Sequence, residues 1–93
     1  MKLLTAETAR SVLFEIRAEP GSQVFVAGTF NSWDPTANPL KENPDSGHFK
    51  STLRLPAGTH EYKFVVNGVW SADPKCHAWV PNGIGSLNSV LHV

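Results

Sequence analysis

The 93-residue chain holds a single cysteine, Cys76, so no internal disulfide can form and the fold has to rest on its core. It has no surplus of either charge: eight basic side chains face eight acidic ones, and no run of one sign occurs. That excludes the electrostatic footprint by which proteins track nucleic acid or an anionic membrane, and a neutral ligand fits better than an ionic one. No window approaches the ~18 apolar residues of a membrane helix. The opening "MKLLTAETAR" has too short an apolar stretch for the h-region of a signal peptide, so cytoplasmic residence is the expectation. The length leaves no room for a second domain or for a (β/α)₈ barrel, which takes about 250 residues. Helix signals are almost missing too; only residues 5–10 read as a helical turn or two.

What the chain does have is alternation. In "SVLFEIRAE", Val12, Phe14 and Ile16 share one face, and Glu15 and Arg17 the other, which marks a half-buried strand. Pro20-Gly21 breaks it. "QVFVAGTF" follows with both faces apolar and reads as a central strand. Residues 31–47 hold three prolines among Asn, Asp and Ser, so they read as a set of turns interrupted around Leu40. "HFKSTLRL" and "HEYKFVV" alternate again on either side of the turn "PAGT", and Asn67-Gly68 closes a two-residue hairpin into Val69 and Trp70. "SADPKCHAWVPNGIGS" is irregular, and "LNSVLHV" reads as a closing strand. Short strands with turns every eight to twelve residues predict an antiparallel β-sandwich.

Two of the three tryptophans stand beside turns: Trp33 in "TFNSWDP" and Trp70 in "VVNGVW". Large aromatics are usually mostly buried, so each could simply fold back over an open end of the sandwich. The alternative is a ligand platform. Lys63 lies on the strand leading into the Asn67-Gly68 hairpin, within a few residues of Trp70 across the ladder. Flat rings flanked by hydrogen-bonding groups suit a sugar, whose C–H face lies on a ring while its hydroxyls need partners.

The stretches "VFVAGTFNSWDP", "LPAGTHEYKFVVNGVWSADP" and "GIGSLNSVLHV" resemble the family-48 carbohydrate-binding module. That is the early-set domain of isoamylases and glycogen-branching enzymes, similar to the glycogen-binding domain of AMP-activated protein kinase β subunits. The resemblance covers about residues 11–93 and leaves residues 1–10 as an N-terminal arm. It implies an all-β, immunoglobulin-like fold and a non-catalytic module for α-1,4-glucans: glycogen, starch or maltooligosaccharides. Trp33 and Trp70 would be the stacking platforms, and Lys63 would bond sugar hydroxyls. Ile84 would press on the glucan ring, while Ser86 and Asn88 would bond further hydroxyls. A second reading is a protein-interaction domain that docks in trans onto a glycogen-metabolising enzyme, such as a family-13 glycoside hydrolase, or onto a kinase-like partner. The segment "PKCHAWVPN" departs from the kinase-subunit version, runs about one residue longer and brings in Trp79, which either extends the platform or, as is expected, packs under its loop.

Rival chemistry is thin. Asp73, Cys76 and His77 lack the second ligand pair of a zinc site and an oriented base for a thiol, so no metal and no cofactor are expected. Asp34 and Asp73, the acids nearest the tryptophans, both precede proline and read as turn caps, and His48, His60 and His92 are scattered over strands. Glycosidic cleavage needs two flanking carboxylates, so the expectation is a binding module and not an enzyme.

Overall fold

The computed structural model describes residues 9–44, 46–76, 78–82 and 86–93. Every regular element among them is a strand: β1 (Ala9–Arg17), β2 (Val24–Gly28), β3 (Lys41–Glu42), β4 (His48–Pro56), β5 (Thr59–Val66), β6 (Val69–Ser71), β7 (Trp79–Pro81) and β8 (Leu87–His92). All pairings are antiparallel. One sheet has the order β1-β4-β3 and the other β2-β5-β8-β7, with β6 also paired to β5. The two form an immunoglobulin-like all-β sandwich.

The core follows from alternation. Phe14 and Ile16 of β1 and Phe49 and Leu55 of β4 face inward from the smaller sheet, toward Val24 and Val26 of β2 and Tyr62 and Phe64 of β5. The Phe14 ring meets the Tyr62 ring edge-on with centroids 5.1 Å apart. Burying such side chains is worth about 1.5–3 kcal/mol each, and with no disulfide the domain relies on that term to offset the entropy of ordering the chain. The opposite face of β5 carries Glu61, Lys63 and Val65, and this face holds the candidate site.

Two expectations need correcting. β2 is not central: it forms an edge of its sheet, and its free edge is bonded by the following loop, Val26 N–H donating to Asn38 O at 3.0 Å and Leu40 N–H to Val24 O at 2.8 Å. Its apolar faces reflect cover by that loop, not a place in mid-sheet. The helical turn expected at residues 5–10 is also overturned where it is described, since Ala9 and Arg10 open β1, opposite Pro56 and Leu55; residues 5–8 lie outside the described residues. β1 therefore begins inside the stretch assigned to an arm.

β5 is the organising strand. Along one edge it pairs with β2; along the other, Thr59–Tyr62 pair with β8 and Phe64–Val66 with β6. Lys63 falls between the last residue paired to β8 and the first paired to β6. Lys63 faces outward with Glu61 and Val65 at this change of partner strand.

Candidate functional site

Trp70 is set by a regular device. Asn67 and Gly68 have φ of 50° and 82°, the two left-handed residues of a type I′ turn, and this puts Trp70 directly opposite Val65. The turn is tied down from outside: the Asn67 amide accepts from Gln23 N–H at 2.9 Å and donates to Ser22 Oγ at 3.1 Å. Trp70 keeps 42% of its surface exposed.

Trp33 is set by an irregular one. Ser32 and Trp33 have φ of 59° and 58°, two successive non-glycine residues in the left-handed region. Each costs roughly 1–2 kcal/mol and persists only where the surroundings enforce it. The Asn31 side chain does so, accepting from Gly28 N–H at 2.9 Å and donating to Val26 O at 3.0 Å and Asn38 Oδ1 at 2.7 Å. Gly28 O receives both Asn31 N–H and Trp33 N–H. Beyond the ring, Asp34 Oδ1 accepts from Thr36 N–H and its hydroxyl, which holds the Asp34 carboxyl below its ordinary value. Asp34 is thus a turn cap, as its place before proline implies, and Asp73 is another, accepting from Lys75 N–H at 2.9 Å.

The two indoles meet with centroids 6.5 Å apart and planes inclined by 43°. Together with Glu61, Lys63, Pro81, Asn82, Ser86 and Asn88 they line an open cavity of about 790 Å³. Neither ring is sealed in the core. Lys63 is 8% exposed and Asn88 7%, yet each has partners. Lys63 Nζ donates to Ser86 Oγ, and Asn88 Nδ2 donates to Glu61 Oε1 at 3.0 Å. Asn82 ties the floor together, its Nδ2 donating to Ser86 Oγ at 3.0 Å and, more loosely, to Asn88 Oδ1 at 3.4 Å.

Five of the six residues singled out from sequence, Trp33, Lys63, Trp70, Ser86 and Asn88, therefore line one cavity. The sixth, Ile84, lies outside the described residues, as does His77 of the Asp73–Cys76–His77 cluster. Trp79 does not pack under its loop: it is 50% exposed on β7, opposite Ser89. Ser89 and Asn88 point to opposite faces of their strand, so Trp79 stands on the far side of the sheet from the cavity. Three lining residues escaped the sequence reading. Glu61 was legible, because alternation puts it on the face of Lys63; nothing in the sequence marked Pro81 or Asn82.

The remaining titratable groups have local roles. Tyr62 donates to Asp73 Oδ2 at 2.6 Å, and burial, with that carboxylate beside it, pushes the phenol well above its ordinary range. His60 bonds Pro56 O, His92 bonds Thr59 Oγ1, and His48 pairs with Glu15 at 2.8 Å.

A flat-ringed, amide-floored cavity on the outer face of a small sandwich is the kind of site a neutral polyhydroxylated ligand requires, and known proteins agree. Residues 11–93 match the family model of the glycogen recognition site of AMP-activated protein kinase. The chain belongs to that family. It is 38% identical over 76 residues to the 5'-AMP-activated protein kinase subunit beta-2 of Mus musculus, a match covering 82% of this chain and 27% of the mouse protein. The Homo sapiens subunit beta-2 matches equally, at 38% over 82% of this chain and 26% of its own length. The Sus scrofa subunit beta-1 is 36% identical over 73 residues, 78% of this chain and 56% of that sequence. The chain thus spans about a quarter of the length of the mouse and human relatives.

Proposed function

We propose that this domain is a non-catalytic module that holds α-1,4-linked glucans, with Trp33 and Trp70 as platforms and Lys63, Ser86 and Asn88 as the polar floor. The observation that carries it is the pair of indoles inclined by 43° over one cavity. A pyranose exposes a C–H face to each ring, and an α-1,4 chain bends from one unit to the next. Inclined rings follow that bend where coplanar rings suit a flat chain. Ile84 belongs to the proposal on the family resemblance alone. Glu61 supplies one carboxylate among the described lining residues, and glycosidic cleavage takes two, which suits a holding role.

The floor fixes orientation. Lys63 and Ser86 are already bonded to one another, so they stand in place before a ligand arrives and little side-chain freedom is lost on binding. An open site still buries a limited area of ligand, so dissociation constants between about 1 mM and 1 μM are expected, roughly −4 to −8 kcal/mol. Linked copies on a branched polymer would bind far more tightly through effective concentration. Cytoplasmic residence and the tethering of a glycogen-metabolising enzyme in trans extend the same proposal.

The test is a titration of the chain with maltoheptaose or β-cyclodextrin, followed by tryptophan fluorescence. A saturable quench or blue shift is expected. An unchanged spectrum at 10 mM sugar removes the reading.

A further inference from the structure

On the footing of the glucan reading, the donors and acceptors of the cavity are out of balance. Ser86 Oγ has two lone pairs, and both are taken, one by Lys63 Nζ and one by Asn82 Nδ2. Its hydroxyl proton is then what it offers a ligand. Lys63 is donor-only and keeps further N–H groups. Asn88 gives one amide hydrogen to Glu61 and keeps a second. The floor is therefore rich in donors. A sugar hydroxyl that accepts from such a floor must still place its own proton on an acceptor.

Glu61 is the one acidic residue among the described lining residues. Its Oε1 holds Asn88, while no hydrogen bond to Oε2 is seen among the described residues. It forms no salt bridge among them either, although Lys63 shares its face two residues along the strand and lines the same cavity. Lys63 is turned to Ser86 instead. A carboxylate is acceptor-only, so the side chain of Asn88 has to present nitrogen to it, and this decides which way round that amide sits.

We infer that Glu61 is a sugar-contacting residue: Oε2 accepts a hydroxyl proton from the bound glucose unit while Oε1 holds Asn88 with its remaining N–H turned to the ligand. The hydroxyl that faces Glu61 is then read twice, as acceptor from a neighbouring donor of the floor and as donor to Oε2. Hydrogen bonds to charged groups are the stronger class, so their loss is visible in affinity.

The experiment compares wild type, Glu61→Gln and Glu61→Ala by calorimetric titration with maltoheptaose, with thermal melts alongside. Glu61→Ala is expected to bind about 10-fold more weakly or worse while still melting as a folded domain, at a somewhat lower temperature because the Asn88 amide loses its partner. Glu61→Gln keeps an acceptor oxygen and is expected to fall between the two. An alanine variant binding within twofold of wild type overturns the inference and leaves the glucan reading intact; a wild type that does not bind removes both together. Should the variants fold poorly, the Glu61 carboxylate carbon resonance of the wild type, followed by NMR during the titration, decides. A shift that saturates with the sugar is expected, and an unmoved resonance at saturation overturns the inference.

Discussion

The two tryptophans sit 6.5 Å apart on supports of opposite kinds. Trp70 rides a backbone ladder: three pairs between β5 and β6, closed by a turn whose Asn-Gly sequence is suited to positive φ. Trp33 rides a loop whose backbone is held against its own preference by one side chain, Asn31. A ladder spreads its support over many bonds, so no single side chain is decisive. A hub concentrates it. The same task of presenting one ring is thus robust on one side of the cavity and dependent on a single amide on the other.

The largest effect expected is on binding, and it treats the two rings alike. Trp70→Ala and Trp33→Ala should each lose about 2 kcal/mol or more of maltoheptaose affinity, roughly 30-fold, as truncating a central aromatic anchor does. Isothermal titration checks this, and unaltered affinity in either variant would mean that ring is no platform. The supports should then separate. Asn31→Ala leaves Gly28 N–H, Val26 O and Asn38 Oδ1 without their partner, which should lower stability by about 2–3 kcal/mol in urea unfolding and weaken binding through Trp33. Asn67→Ala asks alanine to adopt positive φ and removes two side-chain bonds at an exposed turn. It should cost about 1–2 kcal/mol, less than the hub. Equal losses from the two asparagines would erase the contrast.

The smallest effect concerns pH. The folded Asp34 carboxyl is held below its ordinary value of 3.8 by its bonds from Thr36. A depressed group contributes stability that is present above the unfolded value and fades as pH falls through the folded one. The Trp33 loop should therefore keep its order down to about pH 4 and loosen only below, with Asp34→Asn removing that dependence. Hydrogen exchange of the Trp33 backbone amide, which is bonded to Gly28 O, followed between pH 3 and 6 would show it.

Local signals made most of the sandwich legible. β4, β5 and the Asn67-Gly68 hairpin declare themselves through alternation and turn chemistry, which need no knowledge of distant residues. Lys63 and Trp70 could be brought together on the same ground, because ladder register follows from the turn. The edge position of β2 was hidden because its free edge is covered by residues 38–40, a long-range arrangement that imitates mid-sheet burial. The two-residue β3 and three-residue β7 are too short to carry a period. "FNSWDP" announces a turn, but the left-handed backbone at Ser32 and Trp33 runs against residue preference and exists through Asn31. Ser86 and Asn88 reached the candidate site through family resemblance, and Asn82 only through the folded structure. Its part depends on the loop that returns to Ser86, with Asn82 N–H bonded to Ser86 O at 3.0 Å.

The inclination of the paired indoles has an optical consequence. Two identical chromophores at that separation, neither parallel nor perpendicular, couple their electronic transitions and split them into a signed circular-dichroism couplet. The molecule so carries its own dye pair. Any ligand that wedges the rings apart or rotates one against the other rewrites the couplet, reporting occupancy without a label.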